Sequence, residues 1–236
     1  MPRSTSQPTA GKSKKFTAAS TPVDTQDRQH PTKKLIINTA EQLFADYGID
    51  AVSLRQIAAD ANQANNYAIQ YHFGTKAELV SAILDVRFAQ IETRRETLLS
   101  EQTAAGNLLS VRTLLSMLFV PRAEMLDAEG RNTFAKFMME FRIRFKNFEG
   151  IAHPIERDAR NQPATLQISE WLKESLPDLP QETYAFRTRY LSNMFDSILV
   201  ERDTQIATGA TVPTRERLLE RALDMAVAAL VAPPEH

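Results

Sequence analysis

Between Asn65 and His72 the run NNYAIQYH sets amide, phenol and imidazole side chains close together. The amides of Asn and Gln carry a donor and an acceptor side by side. That suits bidentate pairing with the edge of adenine, while an aromatic or aliphatic group can touch the methyl of thymine. Ile69 and Phe73 fall at i and i+4 in the same stretch, so a helix there turns them inward. It leaves Asn66, Tyr67, Gln70 and His72 with no need of burial. The chemistry indicated is recognition by hydrogen bonding, not bond making.

Short, strongly signalled elements must hold these groups. Ser53-x-x-Gln56 reads as a capping box, followed by Leu54, Ile57, Ala58 and Ala61 at helical spacing. Asn62 stands where a left-handed residue is needed, and Asn tolerates that backbone best after Gly. A second helix is expected from about Asn65 to Phe73, ended by Gly74, and Thr75-x-x-Glu78 is a second capping box opening a third. Ahead of them, a helix from about Thr32 to Tyr47 carries Leu35, Ile36, Ala40, Leu43, Phe44 and Tyr47 on one broad face, with Gly48 as its C-cap. A tri-helical unit of this kind has one common use, placing its last helix in the DNA major groove.

The same residues resemble the N-terminal domain of the TetR family of transcriptional repressors. The resemblance rests on Ala40-Glu41-Gln42-Leu43-Phe44, Tyr47-Gly48, Ser53-Leu54-Arg55-Gln56-Ile57-Ala58 and Tyr71-His72-Phe73-Gly74-Thr75-Lys76-Ala77-Glu78-Leu79. The recognition segment is one residue longer than the commonest family pattern, has Asn62 for the usual Gly, and is similar to the variant with an Asn-Asn pair in the turn. The resemblance implies an all-α fold, with a helix-turn-helix domain over residues 31–76 and a helical ligand-binding and dimerisation domain over 77–236. It also implies site roles. Ser53, Arg55 and Lys76 match positions that contact phosphates, with Arg55 within reach of a base. Tyr67 and Gln70, with Asn65 and Asn66 beside them, match base-edge readers. Tyr71 and His72 match backbone contacts. A homodimer would then bind a palindromic operator and be released by a small molecule.

Composition narrows the alternatives. Lys and Arg number 28 against 29 Asp and Glu, so affinity for nucleic acid must come from local patches. There are no cysteines, which removes disulfides, thiolate zinc sites and Cys nucleophiles. No apolar run approaches a membrane span and no signal-peptide core opens the chain, so a cytoplasmic protein is expected. Residues 1–30 are rich in Ser, Thr, Pro, Gln and Lys and read as a disordered arm. Up to residue 34, Arg3, Lys12, Lys14, Lys15, Arg28, Lys33 and Lys34 outnumber Asp24 and Asp27. The arm is either a solvated tail or a source of salt-dependent phosphate and minor-groove contacts.

Beyond the DNA-reading unit, a long helix from Lys76 has Leu79, Ile83, Val86 and Gln90 along one stripe. A helical pattern from about Asn107 to Leu126 is interrupted by Pro121, which either kinks one helix or divides two. From Asn132 to Phe148, the residues Phe134, Phe137, Met138, Phe141, Phe145 and Phe148 share one helical face. They are either core or, with Met117 and Trp171, the lining of a pocket for an apolar or aromatic effector. Arg142, Arg144 and Arg187 are either solvated or partners for a carboxylate.

Glu149 to Pro163 reads as a loop. His153 beside Glu149 and Glu156 fits no ligand spacing, so no metal and no cofactor are expected. A short helix from Leu166 to Leu176 precedes two long ones, Gln181 to Ala207 and Thr214 to Val231. In TetR-like proteins two such helices pair with their copies. The resemblance thus assigns a dimer interface to Leu191, Met194, Phe195, Ile198, Leu219, Ala222, Leu223, Ala226, Val227 and Leu230. Two other classes compete: a DNA-binding architectural or protein-partnered regulator without a ligand, and a helical enzyme. His30, His72, His153 and His236 form no catalytic constellation in the sequence, so no enzyme is expected.

Overall fold

A computed structural model describes residues 25–62, 67–106, 109–144 and 162–233, with side chains described from residue 31 and, in the third helix, from residue 69. Among the described residues the chain is helical throughout: α1 Thr25–Tyr47, α2 Leu54–Asp60, α3 Tyr67–Phe73, α4 Lys76–Ala104, α5 Val111–Ala123, α6 Thr133–Arg144, α7 Pro163–Glu174, α8 Gln181–Ala207 and α9 Arg215–Val231. No helix among them is long and apolar enough to cross a membrane.

Several boundaries differ from the sequence reading. α1 starts at Thr25, and Pro31 lies inside it rather than near its start. The helix therefore takes in the last residues of the stretch expected as an arm, and residues 1–24 lie outside the described ones. Pro121 neither divides two helices nor stands mid-helix. It sits in the last turn of α5, two residues before the helix ends at Ala123, so little helix follows the backbone bond it cannot make. α7 begins at Pro163, three residues ahead of the expected Leu166, with proline in the first turn where its missing N–H matters little.

Two hydrophobic cores organise the molecule. The first joins α1 to α4: Ile36, Ala40 and Phe44 meet Ile57, Ile69, Leu79, Ile83 and Phe88. α6 closes it with Phe134, Phe137, Met138 and Phe141. Phe137 stands at the centre, its ring 6.4 Å from Phe44, 6.1 Å from Phe134 and 6.2 Å from Phe141. The face of α1 is narrower than expected, since Leu35 and Tyr47 are exposed. α4 likewise buries Val80, Leu84, Phe88 and Ile91 beside Leu79 and Ile83, while Val86 and Gln90 face solvent.

The second core joins α5, α7, α8 and α9 through Leu114, Phe119, Ile168, Leu172, Leu191, Phe195, Leu223 and Leu230. Phe119 and Phe195 stack there at 4.3 Å. α4 runs alongside both cores and is the shaft common to them. α6 adds ion pairs from Lys136 to Asp46 and from Arg144 to Asp50, tying the second half of the chain to the end of α1 and the turn after it.

Candidate nucleic-acid interface

The helix-turn-helix is assembled from its caps. Ser53 has extended backbone and its Oγ accepts from the Gln56 N–H at 3.1 Å, starting α2. Ile57 and Ala58 then turn inward. Asn62 adopts φ +50°, the left-handed conformation expected of it, and is the one non-glycine residue with positive φ among the described residues. Residues 63–66 lie outside the described ones, and so do the expected contacts Asn65 and Asn66.

α3 is held by Ile69 and Phe73, both buried, against α4 and α2. With those two inward, helical spacing turns Gln70 and Tyr71 outward. Both are exposed, Tyr71 to 75%, with His72 half-buried beside it. The Tyr71 and His72 rings meet edge to face at 5.2 Å. The backbone of α3 includes Tyr67, whose side chain is outside the described set. Lys33 of α1 lies 5.5 Å above the Phe73 ring, a cation–π contact that fixes the inner side of α3.

The start of α4 is built as the sequence indicates. Glu78 N–H donates to Thr75 Oγ1 at 3.2 Å and Thr75 N–H donates to Glu78 Oε2 at 2.8 Å, the full capping box. Gly74 before it has φ +70°, and a Cβ there would collide with the Glu78 carboxylate. A Gly74→Ala substitution should therefore strain the turn and break the box, lowering stability by about 1–3 kcal/mol. A urea melt followed by circular dichroism reads this directly.

Ser53 and Arg55 are exposed beside α3, as phosphate contacts require. Lys76 is engaged inside the domain instead. Its Nζ donates to the carbonyls of Ile49 at 3.0 Å and Asp50 at 3.2 Å, bracing the start of α4 against the turn after α1. Sequence reasoning had no local signal for this bond, or for the Arg144–Asp50 pair, because the partners are far apart in the chain.

The other expected sites fall differently. Phe134, Phe137, Met138 and Phe141 are buried in the first core and Met117 in the second, with Trp171 half-buried against it. Phe145 lies outside the described residues. Phe134 borders a cleft of about 470 Å³ between α1, α4 and the α5–α6 connection. That cleft is lined by Asn38, Glu41, Arg87, Glu124 and Asp127 together with Met125, Leu126 and Phe134, a wall of mixed polar and apolar character.

The proposed dimer residues divide in two. Leu191, Phe195, Ala222, Leu223, Ala226 and Leu230 are buried within the chain's own second core, and Met194, Ile198, Leu219 and Val227 are half-buried at its edge. Each of α8 and α9 spends its most apolar stripe on its own subunit. What remains outward includes Phe186 and Tyr190, with rings 4.5 Å apart, and Met225.

A family model described as bacterial regulatory proteins, tetR family, matches residues 36–83, which span α1 to the first turns of α4. The N-terminal domain belongs to the tetR family. Curated relatives also share a stretch of similar sequence with this chain. An HTH-type transcriptional repressor of Mycobacterium tuberculosis strain H37Rv is 41% identical over 66 residues, 26% of this chain and 35% of the relative. An HTH-type transcriptional regulator of Mycobacterium bovis shows the same identity over the same shares. The match thus spans about a third of the length of those relatives.

Proposed function

We propose that the protein is a homodimeric transcriptional regulator that represses from a palindromic operator and is released by a small molecule. The single observation that carries this reading is the TetR-type domain with Gln70 and Tyr71 outward on a helix seated by Ile69 and Phe73. Two copies are needed because one helix-turn-helix reads too few base pairs, and a symmetric dimer reads a palindrome. Residues 31–76 then read DNA in the cytoplasm, and residues 77–236 pair the subunits and sense the effector. Phe186, Tyr190 and Met225, among the large apolar groups that α8 and α9 leave exposed, supply the pairing face, with Met194, Ile198 and Leu219 at its edge.

Gel-shift or anisotropy titration against the DNA flanking the coding region, across a salt series, tests this. Gln70→Ala should cost about 1–3 kcal/mol on the operator and relax discrimination at one base position. Arg55→Ala should weaken binding to all sequences alike and lower the salt slope by about 1 per half-site. Equal, weak binding of wild type to operator and random DNA would count against the reading.

A second reading has an observation of its own. The aromatic stripe of α6 fills the first core rather than a cavity, which favours a DNA-binding regulator that answers to a protein partner or none. Effector-dependent loss of DNA binding separates the two.

A further inference from the structure

The interior between α4, α5, α6, α7 and α8 holds a polar cluster that the DNA-reading end does not use. Glu92 of α4 accepts from the backbone N–H groups of Ala164 at 2.6 Å and Thr165 at 3.2 Å, capping α7. Arg95, one turn on, donates to Thr165 Oγ1 at 2.8 Å and to the Leu118 carbonyl. Arg122 of α5 donates to both oxygens of Asp196 and to Ser192 Oγ, each at 3.0 Å. Arg142 of α6 reaches the same Asp196 at 2.5 Å and Ser192 at 3.2 Å.

Among the described residues the charges do not balance. Arg95, Arg122 and Arg142 face Glu92 and Asp196, and all but Arg142 are more than nine-tenths buried. Burial, reinforced by the neighbouring Arg122, lowers the Arg95 pKa to about 9, which still leaves it charged at neutral pH. The Nε atoms of Arg95 and Arg122 are buried without a hydrogen-bond partner among the described residues. An uncompensated buried cation with idle donors is costly, and an anion is what relieves it. Arg142, with 24% of its side chain exposed, forms the open edge of the cluster.

We propose that the Arg95–Arg122–Arg142 cluster receives the carboxylate of an acidic small molecule. It rests on the reading of the C-terminal half as effector-sensing, and names the effector's chemical class. Guanidinium groups take carboxylates in paired, charge-assisted bonds, so the acid group anchors while the ligand's apolar body lies toward the second core.

Thermal-shift and calorimetric titration of the full chain with benzoate and octanoate, against benzamide and octanamide at constant ionic strength, tests the proposal without DNA. Both acids should raise the melting midpoint as the logarithm of their concentration, by about 5 °C at a hundredfold excess over the dissociation constant, and the amides should not. Arg142→Gln should abolish the response while leaving a folded chain, because Arg122 still pairs Asp196. Equal shifts by acids and amides, no shift by either, or an undiminished response in Arg142→Gln would overturn it. A DNA titration in the presence of the acid separates the two readings. Acid binding that leaves DNA affinity unchanged keeps this site and removes the ligand-released repressor.

Discussion

Asp196→Ala is expected to destabilise the protein by about 3–5 kcal/mol, the range for leaving a buried charge without its partner. Asp196 is fully buried and its carboxylate is shared by Arg122 and Arg142. Removing it leaves two guanidinium groups facing each other, Arg122 buried and Arg142 at the open edge, with Ser192 as the remaining neutral acceptor. Urea denaturation at neutral pH measures the loss. Arg142→Gln added to Asp196→Ala should recover part of it by removing one of the two stranded cations. A loss below about 1 kcal/mol, the range for exposed pairs, would mean that water enters the cluster.

Phe137→Ala should cost about 3–5 kcal/mol, as expected for deleting a fully buried aromatic from a core that cannot collapse around the gap. Phe137 belongs to the C-terminal half by sequence but packs on Phe44 of α1, between Phe134 and Phe141. The destabilisation should therefore appear as one cooperative transition of the whole chain. Differential scanning calorimetry would show it as a single peak moved down in temperature. An early separate transition of the DNA-binding domain, with the remainder unmoved, would show that α6 does not join the halves.

This position bears on how a signal could travel. A ligand changes DNA affinity only if it favours one arrangement of the recognition helices over another. α6 contributes four large residues to the core of α1–α4 and two ion pairs to the end of α1 and the turn after it, while Arg142 on the same helix belongs to the polar cluster. An acid drawn to Arg142 would act on the element that seats the DNA-reading unit.

The sequence by itself determined the local architecture of the reading head. Ser53 and Thr75 cap where their spacing to Gln56 and Glu78 indicated, Asn62 takes the left-handed backbone, and Ile69 and Phe73 face inward with Gln70 and Tyr71 outward. The ends of α8, and of α9 to within a residue, were also legible. Such features depend on residues within a turn or two of one another, where spacing alone sets geometry. Only the tertiary structure decided what the amphipathic faces cover. Periodicity shows that Phe137 and Leu223 are buried; it does not show whether a cavity, a second subunit or the chain's own helices bury them. Both turn out to be covered from within. The same limit hid the buried arginines, and it hid Lys76, whose ammonium binds two carbonyls far back in the chain. A charged side chain reads as solvated until its partners are known, and those partners are brought near by packing rather than by sequence.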